Sequence, residues 1–364
     1  MAITIVDLNR EPGEWAPFCN LPATVYADDP YYLASAPERL KDEIFRTSAE
    51  QLILLARRDG QAVARVCARI VDNLVEDQPI GVLGFFEARS DYEAVASMLD
   101  QAVEWLQNRG IARVIGPMNG DTWHKYRFNV GPFDRPPFLM EPYNAPHYAE
   151  LWRRYGFQVL AEYNSKHVPD VEAILPTMKR YYDRSIGQVM TYRPFNLKRY
   201  DDELRLFYEL SCEIFAGNPF YKSISFDEFK ELYVDARTII HENHVWFCRD
   251  KHGKYAGFVF SFPDYFAAVQ KMDGRRNLWA KMQFVLNRGK ADTLNIKTIG
   301  AVPAHRGRGL GSALMYKAYK AGFDAGLKKA NMCLFHEDNA SARLDGGKGE
   351  RLRTYQLYEL SINE

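Results

Sequence analysis

The sequence predicts an α/β (α+β) protein built as two successive halves, and three observations carry that expectation. The chain has 364 residues, about two domains' worth, with 47% hydrophobic and 26% charged residues, which are ordinary globular values. Apolar runs of strand length alternate with stretches at helical spacing, in the same order in both halves. A glycine-rich turn joins an apolar strand to an amphipathic helix late in the chain.

The N-terminal half opens on an aromatic-rich, helix-like stretch. QLILLARRDGQAVARVCARIV then places two apolar runs around Arg58-Asp59-Gly60, a hairpin signal, and IGVLGFFEA supplies a third strand. In DYEAVASMLDQAVEWLQNRG the residues Val95, Met98, Leu99, Ala102, Trp105 and Leu106 recur at helical spacing, and Gly110 stands where a C-cap belongs. ARVIGP returns as a strand. A long polar stretch with several prolines leads to a helix, HYAELWRRYGF, and a strand, QVLAEYNSKHV.

The C-terminal half repeats the order. Helix-like DDELRLFYELSCEIF and SFDEFKELYVDAR precede the hairpin of HVWFCRD and YAGFVFSFPDYF. A basic, aromatic insertion follows, carrying Lys271, Arg275, Arg276, Trp279, Lys281, Arg288 and Lys290. TLNIKTIGAV is read as a strand, PAHRGRG as a turn, LGSALMYKAYKAGFDAG as a helix, and ANMCLFHE and ERLRTYQLYELSI as the last strands.

Composition excludes several classes. No run reaches the roughly 18 apolar residues needed to cross a bilayer, and MAITIVDLNREPGEW has no basic-then-apolar leader pattern, so neither secretion nor a membrane partner is expected. Cys19, Cys67, Cys212, Cys248 and Cys333 are scattered and never form CxxC, which points to a reducing cytoplasm and to no metal. His241-Glu242-Asn243-His244 lacks HExxH spacing and is read as a surface helix end. Net charge is zero overall but −6 over 1–190 and +6 over 191–364, a balance that suits an anionic ligand on the second half.

The chemistry is concentrated in Ile299-Gly300-Ala301-Val302-Pro303-Ala304-His305-Arg306-Gly307-Arg308-Gly309-Leu310-Gly311-Ser312. Glycines let successive amides point into one concavity at the positive end of the following helix, which makes an anion cradle. The spacing is neither a P-loop, for lack of Gly-Lys-Ser/Thr, nor a Rossmann GxGxxG. Arg306-Gly307-Arg308-Gly309-Leu310-Gly311 instead fits R/Q-x-x-G-x-G/A, and resembles motif A of the Gcn5-related N-acetyltransferases.

That resemblance implies two tandem domains, each a mixed, mostly antiparallel sheet flanked by helices: 1–185 degenerate and without the phosphate loop, 186–364 with it intact. It implies acetyl-coenzyme A, or another acyl-coenzyme A, as co-substrate. The pyrophosphate would be bound by Arg306, Gly307, Arg308, Gly309, Leu310, Gly311 and Ser312, and the pantetheine arm by the strand at Ile299, Ala301 and Val302. Asn339 and Ala342 match the start of motif B, where a helix of about three turns is usual, but Gly346-Gly347 interrupts it early. Tyr143 to Phe157 resembles a motif B helix in the first half, whereas Glu87 to Tyr92 stands in place of its phosphate loop, acidic and without glycine.

The candidates for the base are His336 and Glu337, beside the thioester-bearing strand, and for the acid Tyr355 on the last strand, each against a plain structural reading. Lys297 and Asn295 share a strand face near the expected thioester. Asn119, Thr122, Trp123, Tyr126 and Arg127, in the long loop of the first half, are expected to line the acceptor pocket. The expected reaction is acyl transfer to the amine of a small, amino-acid-like molecule by a monomer or homodimer. Two alternatives stand beside it: an aminoacyl transferase using charged tRNA, for which Lys271 to Lys290 would be the footprint, and a non-catalytic coenzyme A sensor.

Overall fold

The computed structural model describes residues 2–362 apart from 35, 36, 48, 76, 77, 188, 235, 273 and 276, so Arg276 of the basic insertion lies outside the described residues. The first half runs β1 (Ile3–Asp7), α1 (Trp15–Val25), α2 (Pro37–Phe45), β2 (Gln51–Arg58), β3 (Gln61–Val75), β4 (Gln78–Ala88), α3 (Tyr92–Gln107), β5 (Arg113–Gly116), β6 (Phe128–Gly131), α4 (Tyr148–Tyr155) and β7 (Gln158–Val168). After α5 (Leu175–Gly187) the second half runs β8 (Thr191–Pro194), α6 (Tyr200–Phe215), α7 (Phe226–Leu232), β9 (Val245–Arg249), β10 (Tyr255–Pro263), α8 (Phe266–Gln270), α9 (Leu278–Arg288), β11 (Thr293–Ala301), α10 (Leu310–Asp324), β12 (Lys329–His336) and β13 (Glu350–Ser361).

One mixed sheet, mostly antiparallel, joins the halves in the order β1-β2-β3-β4-β5-β13-β7-β12-β11-β10-β9-β8, with β6 against β13. Among the described strands the parallel pairs are β4 with β5 and β11 with β12, one in each half. The two halves exchange their last strands: β13 lies against β5, and β7 lies against β12. β7 and β13 pair with each other at the centre, where Tyr163 faces Tyr355. The point of division between 185 and 186 falls within α5.

The helical spacing read in α3 is what packs: Ala94, Val95, Met98, Leu99, Ala102 and Leu106 are buried on the sheet, and Asp91 caps the helix through Ala94 N at 3.2 Å. Gly116 is needed where α4 crosses β5, because a Cβ there would meet Leu83 O and the Trp152 ring, each at 2.6 Å. In the second half α10 buries Leu310, Ala313, Leu314, Met315, Ala318 and Tyr319 on one face of the sheet, and α6 covers the other with Phe207, Leu210 and Ile214. α5, absent from the sequence reading, packs beside α10 through Met178 of the same core and through Tyr182, whose ring lies 4.9 Å from that of Tyr316. The insertion after β10 forms the two helices α8 and α9. No helix among the described residues is long and apolar enough to cross a membrane.

Candidate active site

β11 and β12 pair only from Thr293–Lys329 to Ile296–Met332 and then part. Both strands are bulged at that level. Lys297 has no partner between the pairs Phe260–Thr298 and Ser261–Ile296, and on β12 Cys333 and Leu334 fall between Met332–Lys166 and Phe335–Asn164, with Leu334 at a φ of 44°. Extra residues bend the two strands away from each other and leave one edge of β11 open. Val302 N donates to Ala256 O at 3.0 Å, so by strand alternation the amides of Ile299 and Ala301 face the open side. Of the three strand residues expected to hold the pantetheine arm, Ile299 and Ala301 therefore present free edges, while the Val302 amide belongs to the ladder.

The turn after β11 has the backbone its sequence asks for. Gly307 and Gly309 have φ of 73° and 79°, the left-handed region in which an L-residue is strained. Gly309 is the N-cap of α10 and supplies no side chain, and Ala313 is the first amide of the helix to find a carbonyl, Gly309 O at 3.1 Å. The amides of Leu310, Gly311 and Ser312 thus open outward at the positive end of a fifteen-residue helix. Arg306 is committed elsewhere. Its guanidinium donates to Ala301 O at 3.3 Å and to Ile214 O, so it ties the turn to β11 and α6. Tyr181 of α5 lies over the turn, 2.9 Å from where a Cβ on Gly309 would stand.

Motif B is cut to a single turn. Asn339 Oδ1 accepts from Ser341 N at 3.2 Å and caps residues 340–343, after which Gly346 and Gly347 take φ of 61° and 75°. Lys166 of β7 pins this turn through Ala342 O at 2.7 Å and the buried Asp345 carboxylate at 2.8 Å. The flank of α10 is filled by α5 instead, which is why the short turn suffices.

The first half has the same strand arrangement with its openings filled. Met118 N donates to Leu83 O and Phe85 N to Asn119 Oδ1, both at 2.7 Å, which closes the gap between β4 and β5. Ala88 N donates to the Tyr148 hydroxyl at 3.0 Å. At the N-terminus of α3 the place of an external anion is taken by Asp91, held by Arg58 at 2.6 Å; that hydrogen bond, against some burial, keeps its carboxyl below the usual range. Hydrogen bonds internal to the chain thus close the strand gap, and the Asp91 carboxylate occupies the helix terminus where a diphosphate would otherwise bind.

On the sheet face opposite α10 a polar seam crosses the exchanged strands. His336 is half-buried, its ring 5.3 Å from that of Tyr163, and the Arg127 guanidinium stacks over Tyr163 at 4.1 Å and over Tyr126 at 3.7 Å. Arg127 Nε is buried without a partner. His336 Nδ1 accepts from Asp338 N at 3.3 Å, which leaves the neutral ring's proton on Nε2. Glu337 is exposed. Deeper in, Tyr355 donates to Glu141, which is also held by Arg353 at 3.0 Å and by Phe138 N at 3.0 Å. Tyr355 is fully buried; burial, then the Glu141 charge, hold its phenol well above its usual range. Burial lowers the Lys297 ammonium and raises the Cys333 thiol on the facing strands.

Sequence reasoning missed a hollow of about 190 Å³ on this face, lined by Arg135, Phe138, His167, Asp264, Asn331 and Leu352. Asn331 lies two residues before Cys333 on the same strand face. Burial raises the Asp264 carboxyl. The buried Asn295 Nδ2 has no hydrogen-bond partner, while Asn295 Oδ1 accepts from Asn331 at 2.9 Å. The polar residue types were visible in the sequence; their convergence depends on the exchanged strands and could not be read from spacing.

The five loop residues expected around the acceptor divide. Tyr126 and Arg127 reach the seam. Asn119 serves β4, Thr122 is half-buried in a turn, and Trp123 clamps the halves, with Nε1 donating to Lys222 O at 2.7 Å and its ring against Tyr221 and Phe229. Asp121, His124 and Glu228 bring ligand-type atoms within 4.8 Å, but the 2.8 Å His124 Nδ1–Asp121 Oδ1 contact uses two of the atoms a cation would need, so they extend the same clamp. His244, read as part of a surface helix end, is buried, and burial followed by the neighbouring His241 pushes it down to about 4.

A splayed parallel pair, an uncapped glycine turn and a helix run from it define the class of fold, that of the tandem Gcn5-related acetyltransferases. Residues 204–344 match the model of the acetyltransferase (GNAT) family. Protein YghO of Escherichia coli (strain K12) is 22% identical over 365 residues, covering 95% of this chain and 92% of that protein. Among solved structures, a tandem GNAT protein from the clavulanic acid biosynthesis pathway superposes with a TM-score of 0.53 at 11% identity over 100% of this chain and 99% of its own. The GCN5-related glucosamine N-acetyltransferase region of a fungal multi-domain β-N-acetylglucosaminidase gives 0.58 at 13% identity, over 99% of this chain, which spans 38% of that protein.

Proposed function

We propose that the protein transfers an acyl group, acetyl by default, from acyl-coenzyme A to the amine of a small, amino-acid-like acceptor by direct attack on the thioester. The observation that carries this reading is the open N-terminus of α10, where Gly307 and Gly309 turn the backbone and no side chain caps the amides of Leu310 to Ser312. When bound, the coenzyme supplies an acyl group activated as a thioester. Leu310, Gly311 and Ser312 would hold its diphosphate. The open amides of Ile299 and Ala301 would receive the pantetheine arm and polarise the thioester carbonyl.

We assign part of the acceptor to the hollow beside Asp264 and Asn331, on the face opposite α10 and at the end where β11 and β12 are still paired. There the Asp264 side chain would orient an amine. In the reaction the amine nitrogen forms the new C–N bond, the C–S bond breaks, the nitrogen gives up a proton and the thiolate takes one. Glu337, solvated at the strand end, would accept the amine proton through water, and the thiolate would take its proton from solvent, since the Nε2 proton of a neutral His336 is too weakly acidic to supply it.

Titration calorimetry with acetyl-coenzyme A, followed by thiol release over a panel of amines, tests this. Binding and release are both expected in the wild type, and both are expected to fall in Gly307→Asp. Binding without release for any amine would favour the sensor, and thiol-independent transfer from charged tRNA would favour the aminoacyl route.

A further inference from the structure

α9 is an amphipathic helix mounted with its apolar side outward. Leu278, Trp279, Met282, Val285 and Leu286 are 84%, 58%, 44%, 55% and 65% exposed. At about 100° per residue these five fall within an arc of about 120°. The opposite side is the anchored one: Ala280 is 1% exposed, the Phe284 ring packs on Tyr265 at 5.5 Å, and Asn287 lines a hollow with Phe266 and Asp264. α8 fixes the base of the insertion to the first half, through Gln270 on Pro30 O and the Phe266 ring 6.4 Å from Tyr31. The orientation of α9 is therefore set by packing, and a hydrophobic stripe of this size is held in water.

The stripe has a charged border. Lys281 and Arg288 lie together along one edge, both exposed, and Lys271 and Lys290 stand exposed at the two ends of the insertion. Against six basic residues in 271–291 the sequence sets one acid, Asp273. Apolar side chains bordered by cations complement an anionic lipid surface, where the stripe enters the acyl boundary and the cations meet headgroups. A second copy of the same face would bring like charges together, and nucleic acid offers nothing to a row of leucine, methionine and valine.

We propose that α9 docks the protein on anionic membrane surfaces as a peripheral, non-spanning anchor. The sequence-based expectation of no membrane partner rested on the absence of a spanning segment, and an anchor of this kind needs none.

Co-sedimentation of the full chain with vesicles of phosphatidylcholine alone, or mixed equally with phosphatidylglycerol, tests the proposal. The protein should pellet with the mixed vesicles, less with the neutral ones, and less again at high salt. Leu278→Glu combined with Leu286→Glu should lower partitioning by about tenfold or more with thermal unfolding unchanged, both positions being exposed. Lys281→Glu with Arg288→Glu should erase the preference for phosphatidylglycerol. Three results overturn it: no pelleting with either vesicle, pelleting unaffected by the leucine substitutions, or a concentration-dependent dimer dispersed by Leu286→Glu. RNA binding lost in the lysine and arginine variant, with no vesicle binding in the wild type, would assign the face to nucleic acid.

Discussion

Gly307 and Gly309 differ as places to test the cradle. A side chain on Gly309 runs into Tyr181, so a loss there mixes sterics with charge, whereas nothing stands within 4 Å of a Cβ on Gly307. Gly307→Asp should cost about 1–2 kcal/mol of stability for the left-handed backbone and lower acetyl-coenzyme A affinity by about tenfold or more, seen by calorimetry against a thermal melt. A second expectation concerns Glu141 and Arg353, whose side chains are 0% and 2% exposed. Arg353→Leu leaves that carboxylate buried without its cation and should destabilise by about 3–5 kcal/mol in urea unfolding. The glycines were legible because their role is local backbone geometry. Glu141 was not, since its partners Arg353 and Tyr355 lie 212 and 214 residues away and no spacing rule reaches that far.

At the scale of elements, the hairpins, α3, α10 and β13 were legible from periodicity, because each buries one stripe or one strand face. β1 and α5 were missed, the first being only five residues and the second a helix whose partner, α10, is distant in sequence. In the loop between β5 and β6, Trp123 and His124 reach α7, through the Phe229 ring and Glu228, while Tyr126 and Arg127 turn to the seam. His124 in that clamp is pushed down by burial but raised on balance by its hydrogen bond to Asp121 and by the charges of Asp121, Glu43 and Glu228. A histidine raised in the folded state contributes stability fully below its unfolded value of about 6.5 and loses it as pH rises through the folded one. Urea unfolding should therefore show stability falling as the pH rises from about 6.5, and His124→Gln should flatten that slope. An equal slope in the variant would detach the effect from the clamp.

For the whole molecule the decisive fact is the exchange of β7 and β13, which no single-sequence pattern announces, because both strands look like ordinary last strands of their own halves. Residues 1–185 and 186–364 produced separately each lack the strand that covers β5 or β12, and each should be insoluble or poorly structured by circular dichroism; mixing them during refolding should restore a soluble complex. Soluble, cooperative unfolding of either piece alone would contradict this. The crossing also orders events in time. Arg113 bonds Glu359 across 246 residues, so a ribosome making this chain releases the edge of β5 long before its cover is synthesised. The nascent first half must wait, with that edge uncovered, for nearly the whole message to be read.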